Sequence, residues 1–152
     1  MDENFRNGRH VVYNLTAHLV LTPKYRRKVF TPEVADLTQK YLLEVCEKYD
    51  VILEEFKTDQ DHAHLMISYP PKVNLSRFVG LLKGHSSRML RKDHFDLIKD
   101  KLYGDHFWSP SYLILSTGGA RTEAVKKYIQ NQRNKPRKAG NPNFGKRDWR
   151  TC

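Results

Sequence analysis

The chain has 152 residues, 39% hydrophobic and 29% charged, which suits one domain with a buried core. Its 27 Lys and Arg outnumber 17 Asp and Glu, and the net charge of +10 favours a polyanionic partner such as nucleic acid. The first residues lack the apolar core of a signal peptide and no apolar run approaches about 18 residues, so we expect a cytoplasmic protein without a membrane span. Cys46 and Cys152 have no metal-binding spacing, which predicts free thiols and argues against a zinc finger or zinc deaminase.

The first part of the chain predicts a strand, a basic loop and a helix. Residues 11–21 alternate in polarity, which predicts a β-strand with His18 on its more polar face. The charges and the tyrosine of the loop that follows suit phosphate contact and base stacking, although a merely solvated loop has the same composition. This loop contains Lys24, Tyr25, Arg26 and Arg27. Thr31 and Pro32 then predict the cap and first turn of a helix that reaches about residue 49.

Two strands form the predicted centre of the sheet. Residues 51–57 and 61–69 have strand character and are joined by a short polar turn, which predicts a β-hairpin. His62 and His64 are two residues apart and therefore share one face of the second strand. Two adjacent imidazoles can make half of a metal site, but composition alone predicts roughly 0.3 such pairs by chance. One satisfied and one solvated histidine is the alternative interpretation.

The second half of the chain predicts a helix, a strand and a further helix. The helix over residues 75–92 has an apolar side and a polar, basic side that could meet a phosphate backbone. That basic side comprises Lys83, Ser86, Ser87, Arg88, Arg91 and Lys92. Residues 112–116 predict a fourth strand, and Gly118 and Gly119 separate it from a last helix that opens at Thr122.

This order of elements predicts an α+β fold, the ferredoxin-like βαββαβ arrangement that RNA-recognition domains also use. We expect one mainly antiparallel sheet with two helices on one face. The last helix is an added C-terminal element, free to lie on the opposite face. It holds Tyr128 and Gln132 four residues apart and therefore on one side of the helix, a pairing of which composition predicts about 0.2 by chance.

In combination, these features resemble the single-tyrosine transposases of the His-hydrophobic-His (HUH) nuclease superfamily, which move small insertion sequences as single-stranded DNA. The resemblance covers nearly the whole chain and depends on five stretches. They are His-Leu-Val at 18–20, Lys-Tyr-Arg-Arg at 24–27, Asp-His-Ala-His-Leu at 61–65, Leu-Lys-Gly-His-Ser-Ser at 82–87 and Tyr-Ile-Gln-Asn-Gln at 128–132. Alanine between the two histidines is small but apolar, as the pattern requires.

The resemblance implies metal-assisted strand transfer. His62, His64 and Gln132 would hold Mg²⁺ or Mn²⁺ and leave positions open for phosphate oxygens, although the amide residues just before Gln132 are alternatives for the third ligand. Tyr128 would be the nucleophile that forms a 5′-phosphotyrosine bond. Such a bond keeps the phosphodiester energy, so no nucleotide cofactor is expected, in agreement with a sequence that has no P-loop motif.

The same resemblance implies the partners. The substrate would be single-stranded DNA with hairpin ends, recognised by the basic loop and the second helix. The assembly would be a homodimer in which the tyrosine helix can complete the partner's site. Gly118 and Gly119 would then form a hinge before that helix, although a simple strand terminator is the alternative.

Two other interpretations stay open on the sequence. A ferredoxin-like sheet with exposed aromatic residues could bind single-stranded nucleic acid without catalysis. A host-adopted relative could cleave DNA without transposing it. In the transposase interpretation, we expect the catalytic domain over residues 1–133 and a basic tail over residues 134–152 that follows nucleic acid, packs on a dimer or is disordered.

Overall fold

The computed structural model describes residues 5–102 and 106–117 and begins with a small hairpin that the sequence did not predict. Strand β1 (Arg6–Asn7) pairs antiparallel with β2 (Val12–Tyr13). The predicted first strand is therefore divided, and β3 (Thr16–Pro23) begins afresh in the main sheet. Alternating polarity continues across both pieces, so the pattern could not show that the chain changes its pairing partner between them.

The main sheet confirms the predicted βαββαβ order. After β3 come β4 (Ile52–Asp59), β5 (His62–Ser68) and β6 (Trp108–Ser116). All neighbouring strands are antiparallel, in the spatial order β4–β5–β3–β6. The first and third strands of the motif are therefore central, as expected when two crossovers flank one hairpin in the ferredoxin-like arrangement.

The first two helices begin where predicted, one directly after its predicted cap and the other at residue 75. Thr31 caps α1 (Pro32–Lys48) and Asn74 caps α2 (Leu75–Asp93), each by accepting a hydrogen bond from the backbone N–H three residues ahead. A single-turn helix, α3 (Phe95–Ile98), lies in the stretch for which no element was predicted. Within the described residues, none of these helices is long and apolar enough to cross a membrane.

The core lies between the helices and one face of the sheet. Leu19 and Leu21 of β3 and Leu65 and Ile67 of β5 are completely buried there, in one cluster with the apolar stripes of α1 and α2. Residues between these positions point to the other face, because side chains alternate along a strand. We call this other face the histidine face: His18, Val20, His62, His64 and Met66. In residues 5–102 and 106–117, no helix covers it.

Strand β6 begins four residues earlier than predicted. Proline cannot donate to a strand ladder, yet Pro110 lies within β6. It is tolerated here because β6 is an edge strand of the sheet and the pairing with β3 shifts register between Leu21 and Pro23. The shift brings Trp108 opposite Pro23 and carries the indole into the core.

Candidate active site and nucleic-acid surface

Strand β5 places His62 and His64 side by side on the histidine face. Their ring centroids are 5.9 Å apart and the ring planes differ by 25°, so the two imidazoles are stacked. Because β5 is hydrogen-bonded on both sides, between β3 and β4, the strand that carries them is rigid. His64 lies between Val20 of β3 and Lys57 of β4. The predicted shared face of the pair is confirmed.

His62 is oriented by a carboxylate. Its Nδ1 lies 2.6 Å from Asp61 Oδ1. An ionised carboxylate can only accept a hydrogen bond, so Nδ1 donates and Nε2 keeps its lone pair. The other oxygen, Asp61 Oδ2, lies 3.3 Å from the Arg26 guanidinium. Burial lowers the pKa of His62 below its usual value, and the Asp61 carboxylate opposes this shift, so the imidazole is neutral at neutral pH.

The donor set fits part of a divalent-metal site. The two imidazoles on one face can supply nitrogen ligands, and Asp59 Oδ2 lies 3.9 Å from His64 Nε2. Mn²⁺ or Mg²⁺ would need oxygen atoms for the remaining positions. Within the described ranges, no group of three or more His, Cys, Asp or Glu side chains could hold a metal ion. A complete site would therefore take a further ligand from elsewhere in the chain, such as the predicted Gln132, or from the substrate.

The basic loop follows β3 directly and turns sharply. Lys24–Arg26 form a short 3₁₀ turn in which Tyr25 and Arg26 have φ values of 57° and 54°. This left-handed region is uncommon for residues with a side chain. Tyr25 is 65% exposed, and the Lys24 ammonium lies 5.4 Å from its ring centroid. The turn thus presents a tyrosine and a lysine to solvent and directs Arg26 toward Asp61.

A cavity of about 300 Å³ connects this loop to α2 and the start of β6. The side chains around it combine cations, hydrogen-bond donors and an indole. Its polar and aromatic lining includes Lys24, Lys83, Ser87, Arg91, His106 and Trp108. Positive charge on the wall of this cavity suits a phosphate. The cavity lies at the end of the sheet where β3 ends and β5 begins, which is also the end that carries His62.

Lys83 is the most constrained cation of this cavity. Its ammonium donates to the Ser109 and Ser111 carbonyl oxygens at 2.8 and 3.1 Å and lies 5.1 Å from the Tyr112 ring centroid. Burial lowers the pKa of Lys83 to about 8, so the charge is present at neutral pH and lost under mildly alkaline conditions. Lys83 therefore fastens the start of β6 to α2 as well as contributing charge to the cavity.

The structure separates the predicted DNA-contacting residues of α2. Ser87 lines the cavity, and Arg88 is exposed on a different groove, between α1 and α2. The prediction for Ser86 is corrected, because its side chain is completely buried. Its hydroxyl donates to the Leu82 carbonyl oxygen and accepts a hydrogen bond from Trp108 Nε1 at 2.9 Å. Ser86 thus serves the packing of α2 against β6.

Four predicted functional residues lie outside the described residues: Tyr128, Gln132, Gly118 and Gly119. Conversely, sequence reasoning assigned no role to Asp61, His106 or Trp108. Asp61 had a signal, since it is a carboxylate directly before a candidate metal-binding histidine. The other two meet α2 only through tertiary contacts, for which local sequence patterns contain no signal.

Known sequences match this chain over most of its length. The profile of the family described as "Transposase IS200 like" matches residues 11–132. The ISDra2 transposase TnpA of Deinococcus radiodurans is 35% identical over 130 residues, which cover 86% of this chain and 92% of that protein. The transposase for insertion sequence element IS200 of Salmonella typhimurium is 37% identical over 123 residues, which cover 81% of this chain and 80% of that protein.

Two solved structures share the fold. The crystal structure of a Deinococcus radiodurans R1 protein described as a transposase has a TM-score of 0.67 at 30% identity, over 84% of this chain and 97% of that one. The structure of a REP-associated tyrosine transposase bound to a REP hairpin has a TM-score of 0.56, over 82% of this chain and 67% of that one. At 10% identity, this second likeness concerns the fold alone.

Proposed function

The chain belongs to the IS200-like transposase family, and we propose that it acts as a transposase by cleaving and rejoining single-stranded DNA through a covalent bond to Tyr128. The observation that carries this proposal is the stacked pair of imidazoles, His62 and His64, on the rigid centre of the histidine face. A binding module that only stacks bases would have no need of two oriented nitrogen ligands there.

In the proposed reaction, the Tyr128 hydroxyl oxygen attacks the scissile phosphorus. A tyrosine–phosphate bond forms while the bond between phosphorus and the 3′ oxygen breaks, and the 3′ oxygen takes up a proton to leave as a hydroxyl. Attack by the 3′ hydroxyl of another strand reverses these steps and rejoins the DNA. The number of phosphodiester bonds is unchanged, so no nucleotide cofactor is consumed. His62, His64 and Gln132 would hold Mg²⁺ or Mn²⁺, which when bound stabilises negative charge on the phosphate as a Lewis acid.

The length of the chain after β6 supports this placement of Tyr128. Thr117 leaves the sheet beside Thr16, to which it is joined by backbone and hydroxyl hydrogen bonds. Thr16 pairs with Ser68, and His64 lies about 13 Å from that point along β5, at about 3.3 Å per strand residue. Tyr128 follows Thr117 by 11 residues. Even a fully helical connection spans about 16 Å, at about 1.5 Å per residue.

The tyrosine can therefore reach the imidazoles of its own chain without a partner, and a longer, extended connection could also serve a second copy. We propose that Gly118 and Gly119 form the hinge that allows either placement, in a homodimer. Rigid substitution, Gly118→Pro with Gly119→Ala, should then reduce strand transfer more than the first cleavage. If the variant keeps the wild-type ratio of the strand-transfer rate to the cleavage rate, the two glycines are not a hinge.

We further propose that hairpin DNA ends occupy the basic surface around the 300 Å³ cavity. Lys24, Tyr25, Arg27 and Ser87 offer charge, an exposed ring and a hydroxyl at the same end of the sheet as His62. The REP-associated relative is bound to a REP hairpin, which agrees with this choice of substrate. Residues 1–133 would then form the catalytic domain, and the basic residues of 134–152 would add non-specific phosphate contacts.

The proposal is tested by trapping the covalent intermediate. Labelled single-stranded oligonucleotides that carry the ends of the element would be incubated with the protein and Mn²⁺, Mg²⁺ or EDTA, and run on denaturing protein gels. We expect a labelled adduct that requires metal and is absent from Tyr128→Phe. Tyr25→Phe is the matched control, because it removes an exposed tyrosine hydroxyl from the DNA surface and should keep the adduct.

Each other outcome would indicate a different function for this chain. Cleavage without an adduct would indicate hydrolysis and remove Tyr128 from its role. Tight binding of the correct ends with neither cleavage nor adduct would favour a non-catalytic single-stranded DNA-binding module. An adduct that forms but cannot be rejoined to a target strand would favour a host-adopted endonuclease.

A further inference from the structure

We propose that Arg26 and Asp61 are positioning residues that set the orientation and tautomer of His62. The inference depends on the proposed function in one respect, namely that His62 binds metal. It assigns Arg26 to the interior of the site, whereas its position in a basic loop predicts a DNA contact.

The contacts form an unbroken chain of three side chains. The Arg26 guanidinium lies 3.3 Å from Asp61 Oδ2, and Asp61 Oδ1 lies 2.6 Å from His62 Nδ1. The Arg26 and Asp61 side chains are only 27% and 23% exposed. Both carboxylate oxygens are therefore engaged, one by the cation and one by the imidazole. A carboxylate held in this way accepts a hydrogen bond from the Nδ1–H group, which leaves the Nε2 lone pair available to bind metal.

The backbone of the basic loop supports the same assignment. Tyr25 and Arg26 both lie in the left-handed region, with φ values of 57° and 54°. Such conformations are unfavourable for residues with a Cβ atom and persist where surrounding contacts determine them. Here the basic loop directs the Arg26 side chain to Asp61, which lies in the tight turn between β4 and β5. The next residue, Arg27, is exposed.

Electrostatics and positioning predict opposite effects on metal binding. The Arg26 charge acts on the His62 ring and disfavours a further positive charge there. If Arg26 contributed only charge, its removal would strengthen the binding of a cation. If Arg26 fixes the carboxylate that orients His62, its removal weakens binding, as for other carboxylate–histidine pairs around metals.

The first measurement is the affinity of the full-length chain for Mn²⁺, by electron paramagnetic resonance of the free ion. Arg26→Ala should weaken binding by roughly 10-fold or more, the effect typical of lost outer-shell contacts. Lys28→Ala removes the same charge from an exposed position two residues further on and should leave the affinity unchanged or slightly higher. Unchanged or tighter binding in Arg26→Ala would overturn the inference.

The second measurement needs no metal, and its decisive result comes from the wild type. The ¹⁵N shifts of the His62 ring in the metal-free wild type at pH 8 report which nitrogen carries the proton. We expect the Nδ1–H tautomer in the wild type and a mixture in Asp61→Ala. A wild-type ring protonated on Nε2 would overturn the inference.

These measurements also separate the inference from the proposed function. If His64→Ala binds Mn²⁺ as tightly as the wild type, the proposed metal site fails. The ¹⁵N shifts of the wild type, Asp61→Ala and Arg26→Ala then decide alone whether Asp61 and Arg26 set the tautomer of His62.

Discussion

Replacing Ser86 with alanine tests whether its hydroxyl serves the core, as the structure indicates, or contacts DNA, as its place on a basic helix suggests. The substitution removes the acceptor of the Trp108 indole N–H, which is buried and bonded at 2.9 Å. A buried donor left without its acceptor costs about 1–3 kcal/mol. Alanine is the better helix former, which returns up to about 0.5 kcal/mol. The lost donation to the Leu82 carbonyl oxygen adds little, because a carbonyl in the interior of a helix still accepts a backbone hydrogen bond.

The expected net loss is about 0.5–2.5 kcal/mol of unfolding free energy, or about 1–10 °C in Tm for a chain of this length. Urea unfolding followed by circular dichroism measures it. Ser87→Ala is the matched control, since this half-buried serine lines the cavity and, among the described residues, its hydroxyl bonds only to the Gly84 carbonyl oxygen at 3.3 Å. We expect Ser87→Ala to change stability by less than about 0.5 kcal/mol and to weaken single-stranded DNA binding in fluorescence anisotropy.

A double-mutant cycle identifies the hydrogen bond itself. In a Trp108→Phe background, the indole donor is absent and Ser86→Ala should cost much less than in the wild type. Two results would refute the reasoning: an equal cost in both backgrounds, or a Ser86→Ala protein of wild-type stability that binds DNA as weakly as Ser87→Ala.

Three further predictions concern the fold. Leu65→Ala on β5 should cost about 2–5 kcal/mol in urea unfolding, whereas Ile52→Ala, 47% exposed on the edge strand, should cost under about 1. Thr31→Ala should cost about 0.5–2 kcal/mol because α1 loses its cap, and Thr31→Ser should restore most of it. For Lys83, the pKa falls to about 8 from 10.5, so the unfolded chain binds more protons between those values. Stability of the wild type relative to Lys83→Met should therefore rise from pH 8 to 10, and a constant difference would contradict the lowered pKa.

The elements of the fold could be predicted because their signals are local. Thr31 and Asn74 cap their helices through hydrogen bonds to residues three positions ahead, so both helix starts are visible in the sequence. The alternation that places His62 and His64 on one face is equally local, since it follows from the pleat of a single strand. Confirmation of the βαββαβ order shows that these patterns were enough to determine the topology.

The failures have a common physical cause. Ser86 and Ser87 are neighbours on one basic helix. Ser86 is four residues from both Leu82 and Leu90 and shares their buried side, where the Trp108 indole donates to its hydroxyl. Arg26 and Arg27 are equally basic neighbours, and the left-handed turn at Tyr25 and Arg26 decides which of them reaches Asp61. Residue polarity does not distinguish the members of such a pair, because it reports the character of a surface and not the partner of a side chain.

The sequence by itself therefore determined the strand and helix order, the shared face of the histidines and the basic character of the partner surface, since each depends on spacing within one element or on total charge. Only the tertiary structure decided that His62 has a carboxylate at its Nδ1 and that Lys83 fastens β6 to α2. It also decided that a cavity joins the basic loop to the second helix. These arrangements depend on distances between side chains and backbone atoms in three dimensions, which the sheet and the helices set only once they pack.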